Sequence, residues 1–331
     1  MSLAEPTTDP ETVDTMHGLT SWRPSFHGRG GSLFGIFVTS FLLMLITLGV
    51  YVFWAKVRIR RFLFSQTALE GDRFAFHGHG TELLLGMLRA LVIFGVPIAA
   101  LRMVPSLVGA GPWVTLTGAA LAWILAAIFM PVARVAARRY RLTRTSWRGV
   151  RFGFHGRVAP FMRIFFRGWA LTLLTLGVYY PIYLARSHRF MVQHASFGTA
   201  RFDFDGDGKP LVLEFVYTLL LTLPTFGLVW FWFIARKRRY LWAHTSIRGV
   251  RFRSTITGGR LLGLVAGNVA MTLGTLGLAW PWAIVRSARV NAGTLMIEGT
   301  VDLTGVHQTR AAVSATGEGL LGLLNLDVGL V

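Results

Sequence analysis

Four histidines recur in similar settings: His27 in SFHGRGG, His77 and His79 in RFAFHGHG, and His155 in RFGFHG. Two imidazoles at i, i+2 on a strand share one face, which is how a metal ion would collect them. No carboxylate accompanies them, and the chain has no cysteine to add a thiolate. His77, His79 and His155 are therefore weak metal candidates, better read as polar groups of a small surface sheet, and no metal or cofactor is expected. The segment DFDGDGKP (203–210) alternates Asp203, Asp205 and Asp207 as a calcium loop does. Its twelfth position, Glu214, falls in an apolar stretch and no helix leads into it, so it reads as a solvated turn. Nucleophile elbows, phosphate-binding loops, H-E-x-x-H and paired carboxylates are absent, and without cysteine thiolate catalysis is excluded. The sequence reads as non-enzymatic.

The remaining reactive groups lie within apolar stretches. Arg102 and Glu214 are expected near the same end of two membrane spans, where they would form an intramembrane ion pair; Arg89 and Arg167 sit close enough to span ends to snorkel. A membrane setting follows from composition: 53% of residues are hydrophobic, 15% are charged, and mean hydropathy is +0.52. Soluble proteins of 331 residues need more polar surface. The net charge of +19 is what spans with basic ends produce, so the expected partner is a bilayer with anionic headgroups and not nucleic acid.

The basic residues are organised by a repeat. TLGVYVFWAKVRIRR (47–61), TLGVYYPIYLARSHR (175–189), TFGLVWFWFIARKRR (225–239) and TLGLAWPWAIVRSAR (275–289) each pass from an apolar stretch through a Thr-x-Gly break into arginines. The glycines are Gly49, Gly177, Gly227 and Gly277, the last three spaced by 50 residues. The pairs Arg60 and Arg61, Arg138 and Arg139, and Arg238 and Arg239 keep step, with 78 residues between the first two pairs, one period plus 28. RFAFHG (73–78), RFGFHG (151–156), RFDFDG (201–206) and RFRSTITG (251–258) follow the same period. Their Phe-x-Phe alternation predicts short strands, preceded by tight turns at LEGD, WRGV and IRGV. One unit thus reads as apolar helix, basic helix end, hairpin, glycine.

In FHGRGGSLFGIF, the TLG junctions, TSWRGVRFGFHG and TSIRGVRFRSTITG, the chain resembles the YjgN family of bacterial inner-membrane proteins, a domain of unknown function, over nearly everything from Phe26 to Gly305. The resemblance implies membrane location and architecture and carries no activity.

The expected fold is an all-α polytopic membrane protein with small β-hairpins in its linkers. An acidic disordered tail (1–24) and a C-terminal tail (306–331) would flank a membrane domain (25–305) with spans at 33–55, 83–104, 113–133, 164–185, 211–235 and 261–285. Six crossings put 22 Lys and Arg on one face and 9 on the other, with 3 and 11 acidic residues. That is the positive-inside pattern of a multi-pass inner-membrane protein. A competing reading makes each Thr-x-Gly break a hairpin tip, but only Val50 to Ala55 are apolar before Lys56, about 9 Å of helix, so single crossings are preferred. Breaks at Thr47, Gly49, Thr175, Gly177, Pro224, Gly227, Thr275 and Gly277 would then loosen the spans, either as packing kinks or around a midplane site. Arg60, Arg61, Arg138, Arg139, Arg238 and Arg239 would be interfacial anchors. The function read from this is a small-solute transporter or channel, with a non-transporting scaffold or anionic-lipid-interacting protein as the alternative.

Overall fold

Each Thr-x-Gly junction is a helical hairpin tip. In the computed structural model, which describes residues 21–299, α1 (Gly30–Ile46) turns at Thr47 and α2 (Val52–Ser65) runs back along it. Four more hairpins follow: α3 (Gly80–Leu107) with α4 (Pro112–Thr143), α5 (Val158–Leu174) with α6 (Tyr180–Gln193), α7 (Pro210–Leu221) with α8 (Trp230–Ala243), and α9 (Gly258–Gly274) with α10 (Trp280–Gly293). Within α3, Leu91–Gly95 is π-helical. α1 also packs on α10, so the hairpins close into a ring.

One hydrogen-bond pattern builds the tips. Thr47 Oγ1 donates to Leu43 O (2.7 Å) and accepts from Tyr51 N–H (3.0 Å), while Gly49 N–H donates to Met44 O (2.7 Å). Thr175 with Gly177 and Thr275 with Gly277 repeat it. At the α7–α8 tip, which contains Pro224, Thr225 and Gly227 do the same. Two successive left-handed residues make the reversal: Leu48, Leu176, Phe226 and Leu276 at φ near +50°, then glycines at φ +79° to +96°. A Cβ in that region costs about 1–2 kcal/mol, so glycine at the second position spares the tip a second penalty. The glycine N–H bonding back to the helix is the usual Schellman stop, which leaves few backbone groups unsatisfied.

Between hairpins the chain forms strands: β1 (Ser21–Trp22), β2 (Ser25–Phe26), β3 (Thr67–Leu69), β4 (Asp72–Phe76), β5 (Thr145–Trp147), β6 (Val150–Phe154), β7 (Ala195–Phe197), β8 (Ala200–Phe204), β9 (Thr245–Ile247), β10 (Val250–Ser254) and β11 (Leu295–Glu298). Glu70–Gly71, Arg148–Gly149 and Arg248–Gly249 supply paired positive φ angles, the geometry of two-residue type I′ turns. The strands join in one antiparallel sheet of 11, ordered β1-β11-β10-β9-β8-β7-β6-β5-β4-β3-β2. Its two ends, β1 and β2, are linked by Arg23 and Pro24 alone. Three residues reach at most about 11 Å, so the sheet must curl into a nearly closed ring. Helices leave this ring in pairs and return to it, and all five tips point away from it.

This overturns the all-α, six-span expectation. The linker hairpins are one continuous sheet, and among the described residues only Gly80–Leu107 and Pro112–Thr143 are long and apolar enough to cross a membrane. The remaining helices have 12 to 17 residues, about 18–26 Å, short of a bilayer core of about 30 Å. The error lay in reading the basic run as a helix end. α2 continues through Lys56, Arg58, Arg60 and Arg61 to Ser65, so the return arm is longer than its apolar part. Ser196 and Ser254, which six crossings would place on opposite faces, lie in the same sheet. The expected tails fall largely outside the described residues.

Candidate functional site

The paired arginines divide the work of holding helices to sheet. Arg61 Nη2 donates to Gly78 O (3.2 Å), Arg139 to Gly156 O (2.9 Å), Arg189 to Gly206 O (3.0 Å), and Arg289 to Gly28 O (3.2 Å). Each ties a return helix to the glycine two residues after a strand's last phenylalanine, and the last closes the ring between its first and final units. These glycines are required: a Cβ on Gly28, Gly78, Gly156 or Gly206 would lie within 2.7 Å of the motif's own phenylalanine ring. Arg61 and Arg139, expected as interfacial anchors, are thus intramolecular clamps. Arg238 bonds Asn291 Oδ1 (3.1 Å), and Arg239 follows it in α8.

Arg138, one residue earlier in its pair, belongs to a different layer. Inside the sheet ring is a cavity of about 380 Å³, lined by Phe74, Trp147, Phe152, Phe197, Phe202, Trp242 and Phe252 among others. These aromatics touch in sequence around the wall, from Phe74–Trp147 (6.0 Å between centroids) through Phe152–Phe197 (4.8 Å) to Phe202–Phe252 (6.2 Å). A second cavity of about 530 Å³ lies between α4, α5, α6 and α8; Arg134, Arg138, Arg141, His188 and Lys237 line it together with apolar side chains such as Met130, Phe161, Trp169 and Met191. Arg138 and His188 line both, so the two chambers meet at them.

The meeting layer is cationic and lacks an internal counter-charge. Arg138 Nε and Arg141 Nε are buried with no hydrogen-bond partner. Arg60 lies close enough to Arg141 that burial, followed by that neighbour's charge, lowers its pKa. Lys237 is lowered by burial and then by Arg238. His188 is pushed down to about 4, first by burial and second by Arg138, so it is neutral at physiological pH. Among the described residues Glu70 is the one acidic residue lining either chamber, and it is engaged by Arg148 at 3.0 Å. Burying cations without carboxylates costs several kcal/mol per charge, a cost that a bound anion would offset. The cavity is therefore a largely apolar space with a cluster of positive charge, beside an aromatic chamber.

The other expected site residues lie elsewhere. Thr47, Gly49, Thr175, Gly177, Pro224, Gly227, Thr275 and Gly277 are at the hairpin tips and line neither chamber. Glu214 pairs with Arg236 (2.6 Å), on the other arm of its own hairpin, while Arg102 lies over the Trp123 ring at 5.8 Å; the two are not brought together. His77 Nε2 is 2.8 Å from Ser146 Oγ, and His79 precedes α3 with its N–H on Glu82. His155 follows β6 with its N–H on His194 O. No group of three metal-ligating side chains occurs among the described residues. In the acidic turn, Asp203 accepts from Gln193, Asp205 contacts His244, and Asp207 accepts from Lys209 N–H. Sequence reading missed His188, Arg141 and Lys237 as members of one layer. Arg138, His188 and Arg238 share the repeat period, but which way each turns is set by helix packing.

The family model "Bacterial protein of unknown function (DUF898)" matches residues 22–230 and 211–323. Among curated relatives, Inner membrane protein YjgN of Salmonella typhimurium (strain LT2) is 33% identical over 129 residues, 39% of this chain and 30% of the relative. The proteins of the same name from Escherichia coli O157:H7 and strain K12 are each 31% identical over 130 residues, again 39% and 30%. The matched part spans less than a third of these relatives' length. No solved structure matches. With the two long apolar helices, the relatives' names support a membrane protein of the inner membrane. The chain belongs to the DUF898 family of bacterial proteins of unknown function.

Proposed function

We propose that the five hairpins insert into the inner membrane from one face and that the cationic cavity binds a small anionic solute, as the recognition step of a carrier or channel. The buried, unbonded Nε atoms of Arg138 and Arg141, with Lys237 lining the same cavity, carry the binding part of this reading. Insertion is supported by the tips, where Leu48, Leu176, Phe226 and Leu276 are 88–95% exposed. A bilayer core accepts such side chains, and the internally bonded tip backbone meets its demand for satisfied polar groups. The α3–α4 hairpin is long enough to cross; the other four enter and return. Every basic linker then lies with the sheet, and the positive-inside rule makes that face cytoplasmic.

Two experiments test the reading. Single cysteines at exposed sheet positions Arg73, Arg201 and Arg253 should resist a membrane-impermeant maleimide in intact cells and react after lysis; labelling of one in intact cells refutes one-sided insertion. In lipid nanodiscs, phosphate should raise the melting temperature above that in chloride at equal ionic strength, and the Arg138→Met, Lys237→Met double variant should abolish the increment. An equal increment in the double variant removes the cavity from consideration. The lipid-interacting alternative has its own support: a groove between α5 and α6, lined by Arg163, Arg167 and Arg186, suited to an anionic headgroup.

A further inference from the structure

Resting on the anion-binding reading above, we infer that the ligand is an amphipathic anion. Its phosphate or carboxylate sits against Arg138 and Lys237, and its compact aromatic or branched apolar body rises into the sheet ring. The two chambers differ in charge, the second carrying Arg134, Arg141 and Lys237 and the first a wall of aromatic rings, yet they share Arg138 and His188. An inorganic ion would occupy only the cationic layer and leave unexplained an aromatic-walled space of about 380 Å³ directly beside it. Chambers of this size fall within the range that small-molecule ligands fill, and an apolar lining with a few convergent polar groups is their usual composition. The wall is made of ring faces and edges, such as Phe152 and Phe202 at 6.5 Å, which suits a flat or branched body more than a flexible chain. His188, kept neutral by burial and Arg138, can donate to or accept from the head group without adding charge.

The body alone would leave the neighbouring cations without a counter-ion, and the head alone would forgo the apolar contact. Both parts together therefore define the substrate class. The head-group chemistry is common to lipids and to soluble phosphate esters, so the source has to be separated by experiment.

The test uses the full chain in nanodiscs and calorimetric titration with three probes: inorganic phosphate, 1-naphthyl phosphate and 1-naphthol. The expected result is 1-naphthyl phosphate binding at least about tenfold tighter than either other probe. Ala200, buried in the chamber wall, supplies the control. Ala200→Phe should fill the ring and erase the naphthyl advantage while inorganic phosphate binds as before, which also shows that the variant is folded. Should that variant fail to fold, Phe202→Leu, which keeps the wall apolar but removes a ring, should reduce the advantage instead. Naphthyl phosphate no tighter than inorganic phosphate would overturn the amphipathic class and leave the anion reading intact. Naphthol equal to naphthyl phosphate would overturn the class through the head group. No binding of either phosphate would overturn both. With binding established, displacement of naphthyl phosphate by phosphatidic acid in the disc assigns the ligand to the bilayer, and indifference to it assigns a soluble ester; either supports the shared chemistry.

Discussion

The His188 imidazole gives the sharpest quantitative test of the cationic layer. In the unfolded chain it titrates near 6.5, and in the folded protein it is held to about 4 by burial and by Arg138. Between those values the unfolded chain binds a proton that the folded protein refuses, so stability rises with pH there and is lost as pH falls. One pK unit is worth 1.36 kcal/mol, so a depression of this size removes about 2 kcal/mol by pH 5 and about 3 kcal/mol by pH 4. The assay is chemical unfolding in detergent micelles from pH 8 to pH 4, wild type against His188→Gln. The difference between the two should be flat above pH 7 and should shift by about 2 kcal/mol at pH 5 in favour of the variant, whose side chain cannot charge. Saturating phosphate should shrink the shift, because an anion beside the imidazole stabilises its protonated form. A wild-type-minus-variant difference independent of pH would mean that His188 is solvated like a free histidine, and the dry cationic layer would be wrong.

The clamp, the helix contacts and the tips make three further predictions. Arg139→Gln removes the charged donor to Gly156 O and should lower unfolding free energy by about 1.5–3 kcal/mol; an unchanged midpoint would deny the clamp its role. Gly80→Ala would put a Cβ 2.6 Å from the Trp54 ring and should cost about 1–3 kcal/mol. Trp54→Leu in the same chain should recover most of that loss, and additive costs in the double-mutant cycle would contradict the contact. Leu276→Asp places a charge on a tip residue that is 94% exposed. With that tip in hydrocarbon it should cost about 3 kcal/mol of insertion, read as a lower carbonate-resistant membrane fraction. An unaltered fraction would put the tip in water.

Much of the unit was legible and the assembly was not. The two-residue turns and the Phe-x-Phe strands are local signals and form near where their residues predict, whereas Thr-x-Gly makes a hairpin tip and the basic run continues the return helix. The clamp was also present as a constant interval, since Arg61 to Gly78, Arg139 to Gly156 and Arg189 to Gly206 are each separated by 17 residues. Strand pairing between units is different in kind. β4 meets β5 only after the whole α3–α4 hairpin, with Phe74 opposite Trp147, and ring closure joins Trp22 to Ile297. Strands of 2–5 residues carry too little pattern to name such distant partners, and an isolated hairpin of this size is marginal in water. What fixes them is the helix pair beneath each hairpin, a tertiary constraint.

The interruption of the period shows why hairpins explain the sequence better than crossings. One period plus 28 residues reads, under single crossings, as an inserted span that would reverse the sidedness of everything after it. The structure divides the insertion between two arms. α3 has 28 residues where α1 has 17, and α4 has 32 where α2 has 14. Because both arms grow, the chain returns to the sheet at the place it left, and β5 pairs with β4 just as β7 pairs with β6. The repeat can therefore lengthen one hairpin until it reaches across a membrane without disturbing the ring, the clamps or the cationic layer, all of which lie at the other end of the helices.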